Sequence, residues 1–411
     1  MLLSSFGFSK SILWTFLIIL NSLLIADAGN SQLKMVQLLF RHGDRTPTKT
    51  FPKDQWKDAW PDGLGQLTTL GMQQQFRTGE YLRKRYSHLI NDTYNHRTVH
   101  VQSTDVDRTL MSAYANLAGF MPPTGRHVWN TNLTWQPIPV HTLPQKEDYL
   151  LSLNSDCPQY KKLFAEQMTS PEAEKVNSQS KDFFKFLEKH TGLSINNFNQ
   201  ASSIFDILLI QQIHNLTQPA WVSDDLMERL GLIHLLNVCL RVKTQEQRRL
   251  RGGPLIGEMI KNMENKINNR HEKHKIYMYS AHDATVVSVL AALDVFEPHA
   301  PPYCSMIMVE LLTENGTNFV KILYRNDTSR EPYELALKGC SSPCPFNEFV
   351  KITEAVIPED IQEECVSYED TSVALVGVIA ASVISCAVLI AAVAGYAYFK
   401  RKRATYKKSL A

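Results

Sequence analysis

The apolar run Met35-Val36-Gln37-Leu38-Leu39-Phe40 stops abruptly at Arg41-His42-Gly43-Asp44-Arg45-Thr46-Pro47. A strand apolar at nearly every position is buried on both faces, which points to the sheet of an α/β protein. Open α/β sheets place their ligands at the carboxyl ends of such strands. Here that end is a cationic loop. Two arginines flanking one imidazole pack poorly, yet each guanidinium presents a rigid fork of donors to phosphate or carboxylate. An ordinary basic turn is the competing reading, and the rest of the chain decides between the two.

Two further strand ends carry polar motifs. Thr98 to Ser103 alternates Val99 and Val101 with polar neighbours, then meets Thr104-Asp105-Val106-Asp107-Arg108-Thr109 and a helical run from Leu110 to Phe120. Lys275 to Ser280 reads as a strand ending at Ala281-His282-Asp283, with a helix from Ala284 to Leu293. If these strands neighbour the first in one parallel sheet, Arg41, His42, Arg45, Arg108, His282 and Asp283 converge on one pocket. Alone, His282-Asp283 is a loop hydrogen bond and Arg108 a surface charge. The joint occurrence, each after a strand, changes that.

Phe51 to Gly65 reads as an exposed loop over the strand end. Leu70 to Tyr86 suits an amphipathic helix capped at Thr68 or Thr69. From Tyr160 to about Asn269 the chain reads helical, and Asn315-Gly316 between two apolar runs signals a hairpin. The expected fold is α/β, a mainly parallel central sheet flanked by helices. A helical subdomain, residues 143–254, is inserted between two parts of the body, 29–142 and 255–366. Trp221, Tyr149 and His214 are candidates for the pocket mouth, with plain packing as the simpler account of each.

The termini lie outside that globule. Lys10, the apolar stretch Ile12 to Ile25 and the small-x-small site Ala26-Asp27-Ala28 read as a secretory leader, residues 1–28, against the reading of an uncleaved anchor. Val373 to Phe399 contains no charged residue and is long enough to cross a membrane as a helix. Lys400-Arg401-Lys402-Arg403 follows at once, so positive-inside bias puts the tail, 400–411, in the cytosol. Glu359 to Asp370 reads as an acidic approach to the membrane, with 367–372 as the stalk proper. These features predict a single-pass protein of the secretory pathway, at the lysosomal membrane or the cell surface. The chain is +2 overall while the tail alone holds six Lys or Arg, so the luminal part is net acidic. That argues against nucleic acid as a partner.

In an oxidising compartment six of the seven cysteines read as bridges first, while Cys386, inside the apolar span, reads as a small apolar residue. Cys340 and Cys344 suit a short local one. Cys239 and Cys304 are free to pair with each other, which sequence does not fix. No Cys-x-x-Cys pair or Cys/His cluster suggests a metal site. Asn91, Asn132, Asn215, Asn315 and Asn326 head glycosylation sequons.

Arg41 to Pro47 resembles the RHGxRxP signature of the histidine phosphatase superfamily, in particular its histidine acid phosphatase branch. The resemblance runs over nearly the whole ectodomain, including Arg325-Asn326 and Glu331-Pro332-Tyr333. It implies an acid phosphatase that hydrolyses phosphate monoesters through a phosphohistidine on His42. Arg41, Arg45, Arg108 and His282 would bind phosphate and Asp283 would be the proton donor. No cofactor is implied. Substrates would be small phosphomonoesters, with phosphoproteins and phospholipids as further candidates, and homodimers are frequent in the family. Cys157 and Cys365 match the family's long-range bridge. A third bridge of the mammalian members would need cysteines near Ile210 and Met306, and this chain has neither.

The chemistry is consistent. Three guanidiniums neutralise a phosphoryl group and stabilise the charge of its loose transition state without a metal. They also depress the pKa of His42, keeping it nucleophilic in acid. Free Asp titrates near ~4, so Asp283 as general acid predicts an acid optimum. Asp105-Val106-Asp107-Arg108-Thr109 also fits the Asp-x-Asp-x-Thr motif of Mg²⁺-dependent haloacid dehalogenase phosphatases, a reading that leaves Arg41-His42 idle. A phytase or inositol polyphosphate phosphatase on the same fold would use the same six residues. An inactive binding ectodomain on that scaffold would keep the fold without the chemistry.

Overall fold

The computed structural model describes residues 31–90, 93–152, 154–270 and 273–366, with 388–389, 392 and 394–403 near the C-terminus. The leader 1–28, Asn91, the stalk 367–372, most of 373–399 and the tail beyond Arg403 lie outside the described residues. Among those described, no helix is long and apolar enough to cross a membrane.

The strands are β1 (Gln32–Arg41), β2 (Val99–Ser103), β3 (Ile276–Ala281), β4 (Met306–Glu314), β5 (Thr317–Arg325), β6 (Tyr333–Leu335) and β7 (Cys344–Pro345). They form one sheet in the order β2-β3-β1-β4-β5-β6, with β7 on β5. β1 is central and buried from Met35 to Arg41. Its side chains alternate between two cores, as a period of two requires. Met35 and Leu39 pack with Leu255, Met259, Val286 and Leu290 from the Gly253–Ile267 and Asp283–Ala292 helices. Val36, Leu38 and Phe40 pack with Leu82, Ala113, Leu117 and Phe120 from the Thr69–Tyr86 and Asp107–Phe120 helices. Each such large side chain contributes about 1.5–3 kcal/mol of transfer free energy. Gln37 is the buried polar exception, and it donates to the Met259 carbonyl and accepts from Asn262.

The expectation of a mainly parallel sheet needs correction, because the sheet is mixed. β1–β3 and β2–β3 are parallel. β1–β4, β4–β5, β5–β6 and β5–β7 are antiparallel. The Asn315-Gly316 turn, with φ of 48° and 80°, reverses the chain in two residues and admits only antiparallel partners. Only the half that carries the three polar strand ends is parallel.

Helices between Pro158 and Arg251 build a further layer around Phe184, Leu187, Ile204, Leu208, Leu230 and Ile233. Phe51 belongs to that cluster, and Asp54 and Trp60 are also buried. The segment expected as an exposed loop is therefore fastened into the helical layer.

The acidic approach from Glu359 is likewise folded as far as Cys365. Arg249 grips Glu364 through Nε and Nη2, both at 2.7 Å, and Cys365 is bridged to Cys157 across 208 residues. Cys340–Cys344 is the second bridge. Cys239 and Cys304 do not pair; Cys239 is half-buried on the Asp224–Leu240 helix and Cys304 is fully buried after Tyr303. Asn132, Asn215 and Asn315 are exposed and Asn326 is half-buried.

Backbone-to-backbone contact sets the strand-end loop against the first helix. A Cβ on Gly43 would lie 2.3 Å from the Gly71 carbonyl oxygen, and one on Gly71 would lie 2.1 Å from that of Asp44. Neither peptide can yield without moving the loop. Gly71→Ala is expected to lower stability by about 3 kcal/mol in urea or thermal unfolding. Wild-type stability in that variant would show the contact to be slack.

Candidate active site

The three parallel strands end level with one another. Arg41 pairs with Ala281, and Ser103 with Ser280. The ladder continues past them: His42 N–H donates to the Ala281 carbonyl at 3.0 Å and Thr104 N–H to that of Ser280 at 3.1 Å. All six residues expected at the site are thus brought to one end of the sheet. The ring centroids of His42 and His282 are 5.6 Å apart.

Hydrogen bonds fix both imidazoles. His42 Nδ1 faces the Gly43 carbonyl at 2.8 Å. A carbonyl only accepts, so Nδ1 carries the proton and Nε2 keeps its lone pair. His282 has the opposite tautomer. Its Nδ1 accepts from Arg108 Nη2 at 3.3 Å, so Nε2 is protonated and donates to Thr104 Oγ1 at 3.0 Å. Thr104 passes the chain to Thr109, whose hydroxyl ends on the Val106 carbonyl. Both nitrogens of His282 are therefore engaged, and the residue holds Arg108 in place.

Each arginine is oriented separately. Arg41 Nη1 donates to the Pro301 carbonyl at 2.6 Å, Nη2 meets Asp283 Oδ2 at 3.1 Å, and the guanidinium lies 4.1 Å over the Tyr303 ring. Arg45 forms a two-pronged pair with Asp206, Nη1 to Oδ2 at 3.2 Å and Nη2 to Oδ1 at 3.0 Å. Asp44 faces the other way, accepting from His214 Nε2 at 2.7 Å and from Thr68. The Nε atoms of Arg41, Arg45 and Arg108 are buried with no acceptor among the described residues. Buried donors left unsatisfied are costly, and an anion among them would relieve that.

The electrostatics follow. Burial, then Arg41, His282, Arg108 and Arg45, hold His42 well below the usual histidine range. Burial and then Arg108 push His282 down to about 3, against the pull of Asp283. Burial and Arg45 push Arg108 down to about 10. Burial alone would raise the Asp283 carboxyl, but Arg41, then His42 and Arg45, overcome it and hold the group well below the carboxylate range. With 39% of its side chain exposed, Asp283 faces the opening. The sequence expectation took the free aspartate range, whereas the Arg41 guanidinium at 3.1 Å favours the ionised Asp283 carboxylate well below that range.

Sequence reasoning missed Asp206, Tyr303, Thr104 and the Pro301 carbonyl. Asp206 had a signal, as a lone acid among Ile204, Phe205, Ile207 and Leu208 in a buried helix. Tyr303 had none, since it stands on an irregular segment. Of the three mouth candidates, His214 bonds Asp44 of the strand-end loop, on the side turned away from the arginines. Trp221 packs against His190, Phe186 and Phe51, and Tyr149 donates to the Asp156 carbonyl.

Residues 32–325 match the sequence profile of the histidine phosphatase superfamily (branch 2). Prostatic acid phosphatase of Homo sapiens is 45% identical over 342 residues, which cover 82% of this chain and 88% of the relative. Lysosomal acid phosphatase of Xenopus laevis is 40% identical over 347 residues, 82% of this chain and 80% of the relative. Among solved structures, the phytase from Citrobacter braakii aligns with a TM-score of 0.62 at 20% identity, over 82% of this chain and 99% of its own. Hafnia alvei phytase in complex with tartrate gives 0.63 at 18%, over 83% and 99%. At such identities the likeness establishes the fold alone.

Proposed function

The chain belongs to branch 2 of the histidine phosphatase superfamily and is an acid phosphatase acting on phosphate monoesters, and we propose that it works through His42 as nucleophile and Asp283 as proton donor. The observation that carries this assignment is the bare Nε2 of a neutral His42 beside three anchored guanidiniums.

In the first step Nε2 attacks phosphorus, the P–O ester bond breaks, and the leaving oxygen takes the proton of Asp283. The arginines neutralise the equatorial oxygens throughout. In the second step the Asp283 carboxylate takes a proton from water as the oxygen attacks phosphorus. The N–P bond breaks, its electron pair returns to Nε2, and phosphate leaves. His282 keeps Arg108 aimed, and Asp206 does the same for Arg45.

Asp283 begins ionised, so its proton has to enter with the ester. A dianion seated between Arg41 and Asp283 removes the positive neighbour and adds like charge, which raises the carboxyl pKa. The second ionisation of a phosphate monoester lies near ~6. With an alkyl phosphate, whose leaving oxygen needs that proton, in EDTA and without added metal, kcat/KM is expected to fall about tenfold per pH unit above it. On the acid side activity persists below the usual histidine range, because burial and Arg41 keep His42 unprotonated. A profile flat to pH 8, or no hydrolysis at pH 5, overturns the assignment.

The chain is a secretory-pathway or lysosomal protein. A type I topology with a leader at 1–28 and a span at 373–399 is supported by the apolar length and the basic stop at Lys400. Glycans at the exposed Asn132, Asn215 and Asn315 fit a luminal catalytic part.

A further inference from the structure

A cavity of about 430 Å³ opens one residue beyond Asp283. Ala284, in the first turn of the Asp283–Ala292 helix, forms part of its wall, together with Ser155, Tyr160, Phe164, Arg241 and Arg251. Tyr160 and Phe164 sit one turn apart on the Pro158–Met168 helix with rings 6.4 Å apart and 2° between planes. Arg251 lies 3.9 Å over the Tyr160 ring and Arg241 4.9 Å over that of Phe164. Two guanidiniums backed by two stacked rings thus share one concavity.

Their surroundings differ. Arg251 is fixed through Nη1, which donates to Ser155 Oγ at 2.9 Å and to the Ser152 carbonyl at 3.2 Å. The main chain of Arg241 is held by the Tyr160 hydroxyl, which donates to its carbonyl at 3.1 Å. The guanidinium of Arg241 has no acceptor among the described residues. The carboxylate of Asp156 is taken by Lys161 in an exposed pair at 3.1 Å. A stacked guanidinium with its donors unspent, next to a second cation, is built to receive an anion.

Position says which anion. The proton donor marks the side on which the leaving oxygen departs, and the residue after that donor lines this cavity. We propose that the cavity is a second anion subsite that holds a remote phosphate of the leaving group while the reacting phosphate faces His42. The preferred substrates are then bisphosphates. This deepens the phosphomonoesterase reading and rests on it.

The test uses α,ω-alkanediol bisphosphates of increasing chain length against alkyl monophosphates of the same length, with purified full-length protein. At one chain length kcat/KM for the bisphosphate is expected to exceed that for the monophosphate by about tenfold. Arg241→Gln should bring the ratio near one, and Arg241→Lys should restore part of it. The Arg241 guanidinium enters no ion pair among the described residues, so the Gln variant should fold, and its unfolding temperature checks that. Arg251→Lys is the second variant and should also reduce the ratio. A ratio near one at every length, with the monophosphates still hydrolysed, overturns the subsite and leaves the phosphatase standing. A preference that survives both Arg241→Gln and Arg251→Lys overturns it too. No hydrolysis of either series removes the phosphatase reading itself.

Discussion

His42→Ala abolishes turnover: hydrolysis of p-nitrophenyl phosphate is expected to fall by at least about four orders of magnitude. The reason is specific to this site. Among the described residues, the other candidate groups beside the three arginines are already engaged: the Asp283 and Asp206 carboxylates are paired with Arg41 and Arg45. His282 has both nitrogens engaged, and Cys304, next to Tyr303, is buried and pushed up to about 12. The guanidiniums stay in place in the variant, since Asp283, Asp206 and His282 hold them. Phosphate should therefore still bind the variant by calorimetry. Wild type should retain labelled phosphate after an alkaline quench and the variant should not. Activity within tenfold of wild type would remove His42 from the mechanism.

Asp283→Asn separates the two steps. The amide keeps an oxygen against Arg41 but can neither deliver nor accept the required proton. For an alkyl phosphate, whose leaving oxygen needs that proton, the loss is expected to be about 10²–10⁴-fold in kcat/KM. p-Nitrophenolate leaves without protonation, so phosphorylation of His42 should stay fast while attack by water slows. A burst of one equivalent of p-nitrophenol followed by slow turnover is the expected trace, with phosphohistidine accumulating. Equal losses on both esters, without a burst, would assign the proton transfer to another group.

Much of this was legible in the sequence because each motif follows an apolar strand, and a strand end has one geometric meaning in a parallel sheet. Arg41, His42, Arg108 and Asp283 needed only that β1, β2 and β3 be neighbours. The sheet's hand-over from parallel to antiparallel was half legible. Asn315-Gly316 announced the hairpin, but nothing local told that β4 would lie directly against β1. The supports were harder to see. Asp206 reaches Arg45 from 161 residues away, a contact made by the packing of a helical layer with no local pattern. The ionised state of Asp283 was hidden for a related reason. Its pKa is set by Arg41, distant in sequence, and composition cannot supply that distance.

The Cys157–Cys365 bridge spans nearly the entire helical layer and the second half of the sheet. A protease that nicks any loop between those two cysteines would leave two polypeptides still tied together, with His42 on one and His282 and Asp283 on the other whenever the cut falls before β3. Such a molecule would run as one species under non-reducing electrophoresis and as fragments once thiol is added. Maturation by clipping, wherever it occurred within that span, would remain compatible with an intact catalytic centre.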